Sequence, residues 1–193
     1  MKSIVIATAN KGKFSEIKEF LDGRFDRFLS LADFDELVDV VEDRTTYFGN
    51  AAKKARKVAH RFGLNALADD SGLEVEALGG RPGLYSARYA PDDNQKIDKL
   101  LLELEGVPPE KRKASFKAYL VYYTLSGGRA CIFYGRLDGY IGFERRGDKG
   151  FGFDPVFMLP DGRSLAELSM DEKNLISHRG RALAAFNKFL TGW

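Results

Sequence analysis

The chain has 193 residues, 44% of them hydrophobic and 30% charged, with 30 Lys and Arg against 28 Asp and Glu, a formal net charge of +2. That length suits one domain with a sizeable core, expected to span residues 1–193, and the composition excludes a disordered chain. So even a charge balance argues against a dedicated nucleic-acid binder, and a single cysteine, Cys131, excludes an internal disulfide.

The run "KSIVIATAN" is compact and apolar and predicts a buried first strand. Its apolar part, Ile4 to Ala7, is too short for a secretory signal, and no stretch approaches the roughly 18 apolar residues of a membrane span. A cytoplasmic location without a membrane partner is therefore expected. Phe14, Ile17, Phe20 and Leu21 then recur at helical spacing and predict an amphipathic helix. A second helix is expected from Tyr47 to Phe62, with Phe48, Ala52, Ala55, Ala59 and Phe62 on one side. "NALADDSGLEVEAL" begins as a buried strand and is expected to break at Asp69-Asp70-Ser71-Gly72.

"GGRPGLYSARY" reads as a loop, and Asp93 to Leu104 resume a helical pattern through Ile97, Leu100, Leu101 and Leu104. "SFKAYLVYYTL" alternates, with Phe116, Ala118, Leu120 and Tyr122 on one face, and Gly127-Gly128 turns it into "RACIFYGRL". That is a β-hairpin, so part of the sheet is antiparallel. Ser169 and Glu172 form a capping box for a short helix, and Ser177 is placed to cap the last one, whose inner face is Leu183, Phe186 and Leu190. The sum is an α/β fold with a mixed β-sheet flanked by helices.

Four segments carry chemistry. "ATANKGKFS" half-matches a P-loop: Gly12 and Lys13 are in place, but Ala7 replaces the first glycine and Phe14 replaces the magnesium-binding hydroxyl. A strand ending at Thr8 and Asn10 and a helix opening near Lys13 present free backbone N–H groups to an anion, with Lys11 and Lys13 adding charge. The same residues equally suit an ordinary turn with solvated lysines. "ADDSG" places two adjacent carboxylates, Asp69 and Asp70, at a buried strand, where mutual repulsion and desolvation are costly. A cation relieves both, and Mg²⁺ suits one or two carboxylates completed by waters and substrate phosphates. Glu42-Asp43 offers a further carboxylate.

In "KGFGFDPVF", glycines separate Phe151 and Phe153, and Asp154 precedes Pro155, which suits a flat heterocycle beside flexible backbone. In "EKNLISHRG", Lys173, His178 and Arg179 gather two cations and an imidazole at the ends of two short helices.

In this order, these segments resemble the inosine/xanthosine triphosphate pyrophosphatase family. The matching elements are Thr8-x-Asn10-x-x-Lys13, "ADDSGL", "ALGGRPGLYSARY", "GFGFDPVF" and "DEKNLISHRG", spread over nearly the whole chain. Before the second helix the pattern is looser: Arg44 and Gly49 stand where the family usually has a glycine and a glutamate. The resemblance implies an elongated fold of two lobes around the mixed sheet with the nucleotide in the cleft between them. It implies Mg²⁺ dependence, release of a nucleoside monophosphate and pyrophosphate, and a homodimer.

The expected site follows. Thr8, Asn10, Lys11, Lys13 and Ser71 take the phosphates; Asp70, Glu42 and Asp69 hold Mg²⁺, with Asp70 also the base. Phe151, Gly152, Phe153, Asp154, Lys173, His178 and Arg179 take the purine. Two other classes remain open at this point. A P-loop-like phosphotransferase would release a nucleoside diphosphate, and a non-enzymatic nucleotide- or RNA-binding module would show steep salt dependence without turnover.

Overall fold

In the computed structural model, which describes residues 2–34 and 40–192, the first apolar run forms strand β1 (Ser3–Ile6), followed by helix α1 (Lys11–Phe20). There follow β2 (Arg27–Leu29), α2 (Tyr47–Phe62), β3 (Ala66–Val75), α3 (Asp93–Glu103), β4 (Lys113–Thr124) and β5 (Arg129–Ile141). β6 (Phe157–Met158), α4 (Met170–Ile176) and α5 (His178–Thr191) complete the described elements. Six strands form one sheet in the order β2-β1-β3-β4-β5-β6. β1 pairs in parallel with β2 and β3, whereas β5 pairs antiparallel with β6, so the sheet is mixed.

The chain divides into two compact units, one of residues 1–70, 118–135 and 179–193, the other of 71–117 and 136–178. In the first unit the alternation of β1 decides the layering. Ile4 and Ile6 pack with Leu67, Leu120, Ile17 of α1 and its C-cap Leu21, and Leu183 and Phe186 of α5. Val5 and Ala7, one residue out of phase, pack with Ala51, Ala55, Val58 and Ala59 of α2. Helices therefore cover both faces of β1, which is why its sequence is continuously apolar rather than alternating.

The buried side of α2 is the line Tyr47, Ala51, Ala55, Val58, Ala59. Phe48, expected on that side, is 41% exposed. Small residues dominate the inner face, and such residues suit close packing of a helix on a sheet. The second unit has its own core, built from Leu73 and Val75 of β3, Ile97 and Leu100 of α3, Phe116, Ile141, Phe153, Phe157 and Leu165.

β3 differs from expectation in a way that matters for the site. It runs unbroken through Asp69, Asp70, Ser71 and Gly72. Both aspartates are buried in it, Asp69 at 1% and Asp70 at 6% exposure. A regular strand survives there because each carboxylate meets its own donors, so neither needs a turn to reach water.

In the second unit, Arg112 closes the bottom of the core. It is 3% exposed and its guanidinium donates to the carbonyls of Ile141 at 2.9 Å, Gly142 at 2.9 Å and Leu104 at 3.0 Å. Leu104 is the C-cap of α3, so a fixed positive charge meets the negative end of that helix.

Candidate active site

The half-P-loop becomes a cap. Asn10 is the N-cap of α1, its Oδ1 accepting the Lys13 N–H at 2.9 Å, and Thr8 Oγ1 accepts the Asn10 N–H at 3.1 Å. The Asn10 amide NH₂ and the Thr8 hydroxyl are the donors these side chains can still offer. Lys11 opens α1 on the exposed side. No first-turn acid opposes an anion there, because α1 has none.

Lys13 does not reach outward as its neighbour does. Its Nζ lies 2.5 Å from Asp69 Oδ1, while Asp69 Oδ2 accepts from Arg179 Nε at 3.0 Å. Arg179 Nη1 in turn bonds Glu16 Oε2. Four buried or nearly buried charges thus alternate in sign along Glu16, Arg179, Asp69 and Lys13. Burial alone would raise Asp69, but Arg179 and Lys13 hold its carboxyl far below the carboxylate range. Burial likewise works against the Arg179 charge, yet Asp69 and Glu16 raise it further. For Lys13 burial is the largest influence and lowers it, with Asp69 pulling the other way.

Asp70 is in a different electrostatic state from its neighbour. Burial pushes its carboxyl up to about 6 against the pull of Lys54 and Lys13, with Glu42 adding to the rise. Asn50 Nδ2 donates to Asp70 Oδ2 at 3.1 Å. Lys54, one helical turn on, donates to Glu42 Oε1 at 2.7 Å and to the Asp69 carbonyl at 2.8 Å, and lies 3.9 Å from Asp70 Oδ1. The two adjacent aspartates therefore differ: Asp69 has both oxygens engaged by cations and is shifted down, whereas Asp70 is shifted up. Neighbouring carboxylates whose proton affinities diverge in this way are a common feature of acid–base sites.

Sequence reading missed Lys54, Asn50 and Glu16. The signals were present: Asn50 and Lys54 share a face of α2 at i, i+4, and Glu16 follows Lys13 by three residues on α1. Arg44 and Gly49, the two family departures, touch one another. A Cβ at Gly49 would meet the Arg44 Cβ at 2.9 Å and Thr46 Oγ1 at 3.0 Å, so the arginine occupies room that a larger residue 49 would need. Asn50 Oδ1 accepts the Arg44 N–H at 3.0 Å, and the segment leading from Glu42 is thereby tied to α2.

The second unit holds the remaining candidates. Lys173 Nζ donates to Asp154 Oδ2 at 2.6 Å, both side chains 5% exposed, and sits 4.9 Å from the centre of the Phe151 ring. The same Asp154 oxygen accepts the Phe151 N–H at 2.9 Å. Gly150 and Gly152 have φ of 77° and 63°, which a side chain would strain. Phe151 is half-buried, while Phe153 belongs to the core beside Tyr89. His178 is 4% exposed and stacks on Phe116 with ring centres 4.7 Å apart and planes 10° apart. Ser71 follows Asp70 on β3. The unit boundary falls between His178 and Arg179, and the arginine, grouped with the histidine in the sequence, is engaged by Glu16 and Asp69.

Comparison with known proteins identifies the family of the chain. The Ham1 family profile matches residues 4–189. The chain is 48% identical over 197 aligned positions to the dITP/XTP pyrophosphatase of Geobacter sulfurreducens, covering 100% of this chain and 98% of that protein. It is 46% identical over 192 positions to the dITP/XTP pyrophosphatase of Geobacillus kaustophilus, covering 97% and 94%. Among solved structures, a HAM1 protein from Coxiella burnetii superposes with a TM-score of 0.87 at 39% identity, covering 100% of both chains. With its mixed sheet, its helices and nearly its whole length matched, the chain belongs to the Ham1 family.

Proposed function

We propose that this protein hydrolyses non-standard purine nucleoside triphosphates (ITP, dITP and XTP) to the nucleoside monophosphate and pyrophosphate, keeping such bases out of DNA and RNA. Family membership and relatives named dITP/XTP pyrophosphatases support the reaction class. The observation that carries it on this chain is the divided aspartate pair: Lys13 and Arg179 engage both oxygens of Asp69, while Asp70 accepts from Asn50 and lies 3.9 Å from Lys54.

The residues fit Mg²⁺ in one arrangement. Asp69 has both oxygens engaged by cations and is poorly suited as a ligand, which leaves Asp70 and Glu42, brought to a common lysine, to hold the ion. Among the described residues there is no group of three or more His, Cys, Asp or Glu that could form a metal cage. Two carboxylates completed by water and phosphate oxygens is the way Mg²⁺ is commonly bound. Once bound, it supplies charge neutralisation at the phosphate oxygens and acidifies a coordinated water.

The chain's own groups do the rest. Asp70, or a water it orients, takes the proton of the attacking water at the α-phosphate. Lys13, the α1 N-terminus, Thr8, Asn10 and Lys11 take the phosphate tail and stabilise charge on the departing pyrophosphate. Ser71 joins the phosphate contacts. Arg179 and Glu16 act through Asp69, fixing the carboxylate that fixes Lys13. Phe151, Gly152, Asp154, Lys173 and His178 are the residues for the purine, with Phe153 supporting them from the core. Working as a homodimer in the cytoplasm belongs to the same proposal. Identifying the products tests it: inosine monophosphate and pyrophosphate from ITP are expected, and a nucleoside diphosphate with orthophosphate would refute it.

A further inference from the structure

The loop that carries Phe151 is held by a residue with no place in the site so far described. Phe151 and Gly152 present consecutive backbone N–H groups, and each meets a carboxylate. The first goes to Asp154 of the loop itself at 2.9 Å; the second goes to Asp93 Oδ2 at 2.8 Å, across 59 residues of sequence. Asp93 is the first residue of α3, whose cap is the separate Asp92, so its carboxylate is not needed to start the helix. Its other oxygen is fixed by Lys96 at 3.0 Å.

A second tie joins the same helix to the same stretch of chain. Arg145, just after β5, donates to the Asn94 carbonyl at 3.0 Å and to Asp98 Oδ1 at 2.7 Å. Helix α3 is itself anchored by Ile97, Leu100 and its C-cap Leu104 in the core and by Arg112 on the Leu104 carbonyl. The loop between Gly150 and Asp154 contains two glycines at positive φ, the residue type that loses most freedom on ordering. Without an external acceptor the Gly152 peptide could rotate, and the Phe151 ring would turn with it.

We infer that Asp93 is a positioning residue for purine recognition: by accepting the Gly152 N–H it holds the Phe151–Asp154 loop, and with it the Phe151 ring and the Asp154–Lys173 pair, in the base-binding conformation. The inference rests on the reading of that loop as the purine site. Asp93 touches no substrate in this account, and the chemistry at Asp70 does not depend on it. Its loss therefore belongs in KM and in base selectivity, not in kcat.

The test compares Asp93→Ala, Asp93→Asn and Phe151→Ala with the unmodified protein, measuring kcat and KM for ITP and ATP and the melting temperature of each. Asp93→Ala is expected to raise KM for ITP about fivefold, the effect of one net hydrogen bond, with kcat within about twofold. The kcat/KM ratio of ITP to ATP should narrow. Asp93→Asn keeps an acceptor oxygen and should restore most of the ITP KM even though the Lys96 ion pair is gone. An unchanged KM in Asp93→Ala while Phe151→Ala raises it overturns the inference alone. Unchanged KM and selectivity in both overturn the purine-site reading and the inference with it. Equal losses in Asp93→Asn and Asp93→Ala, or a fall confined to kcat and melting temperature, would make Asp93 a structural ion-pair residue and overturn the inference too.

Discussion

Arg179 lies buried between Glu16 and Asp69, donating to a carboxylate on either side and fully enclosed at 2% exposure. A guanidinium so placed acts on Asp69 before anything else. Removing it leaves two buried carboxylates facing one another, and breaking a buried ion pair in this way costs about 3–5 kcal/mol. Arg179→Ala is therefore expected to lower the melting temperature markedly and to reduce turnover of ITP, XTP, GTP and ATP by similar factors. Steady-state kinetics on all four nucleotides checks this. A selective loss of ITP and XTP would place Arg179 on the purine instead.

Asp70→Asn is expected to cut turnover at least ~10²-fold, the low end for losing general-base help, with the fold intact. It also has a signed effect on stability. The Asp70 carboxyl is pushed from an ordinary value of 3.8 up to about 6, so between those values the folded state binds more protons than the unfolded one. Stability of the metal-free protein therefore falls as pH rises from about 4 to about 6, by up to about 3 kcal/mol for a shift of two units. The difference in unfolding free energy between the variant and the unmodified protein should grow in the variant's favour across that window. Denaturant titrations at pH 4 and pH 8 measure it, and a difference that is the same at both pH values would contradict the raised Asp70.

Lys13 is held by Asp69 at the start of α1, where the phosphate tail is proposed to bind. Lys13→Ala should weaken ITP far more than IMP, because only the triphosphate has β- and γ-phosphates. Calorimetric titration of both ligands decides this, and equal weakening would move Lys13 away from the tail.

A side chain at Gly150 would overlap the Asp154 carboxylate and crowd Lys173, at a φ of 77° that only glycine adopts freely. Gly150→Ala should cost on the order of 1–3 kcal/mol of stability and raise KM for ITP more than it lowers kcat. Normal KM in a folded variant would separate the Asp154–Lys173 pair from purine binding.

Most of the fold was legible because periodicity is a local property. The apolar run of β1, the helical spacing of α1 and α3 and the Gly127-Gly128 hairpin all emerged from neighbouring residues alone. Asp69 and Asp70 misled the reading of β3, since what keeps that strand regular is Arg179, 110 residues away, and Asn50, 20 residues away. Phe48 misled the reading of α2 for a related reason: helical spacing finds a stripe but not which of two adjacent stripes faces the sheet. The motifs singled out Asp70, Lys13, Asp154 and Lys173, while helical spacing alone could hint at Glu16, Asn50 and Lys54 but not at the partners they meet, and nothing local marked Asp93, whose partner is Gly152.

The central claim is purine-selective, metal-assisted release of pyrophosphate. Its most direct measurement is the pyrophosphate produced from ITP, XTP, ATP and GTP at equal concentration, each with Mg²⁺ and again with excess chelator. Fast release from ITP and XTP with Mg²⁺, slow release from ATP and GTP, and none with chelator is the expected result. Equal rates for all four nucleotides, or full activity without a divalent cation, would contradict it.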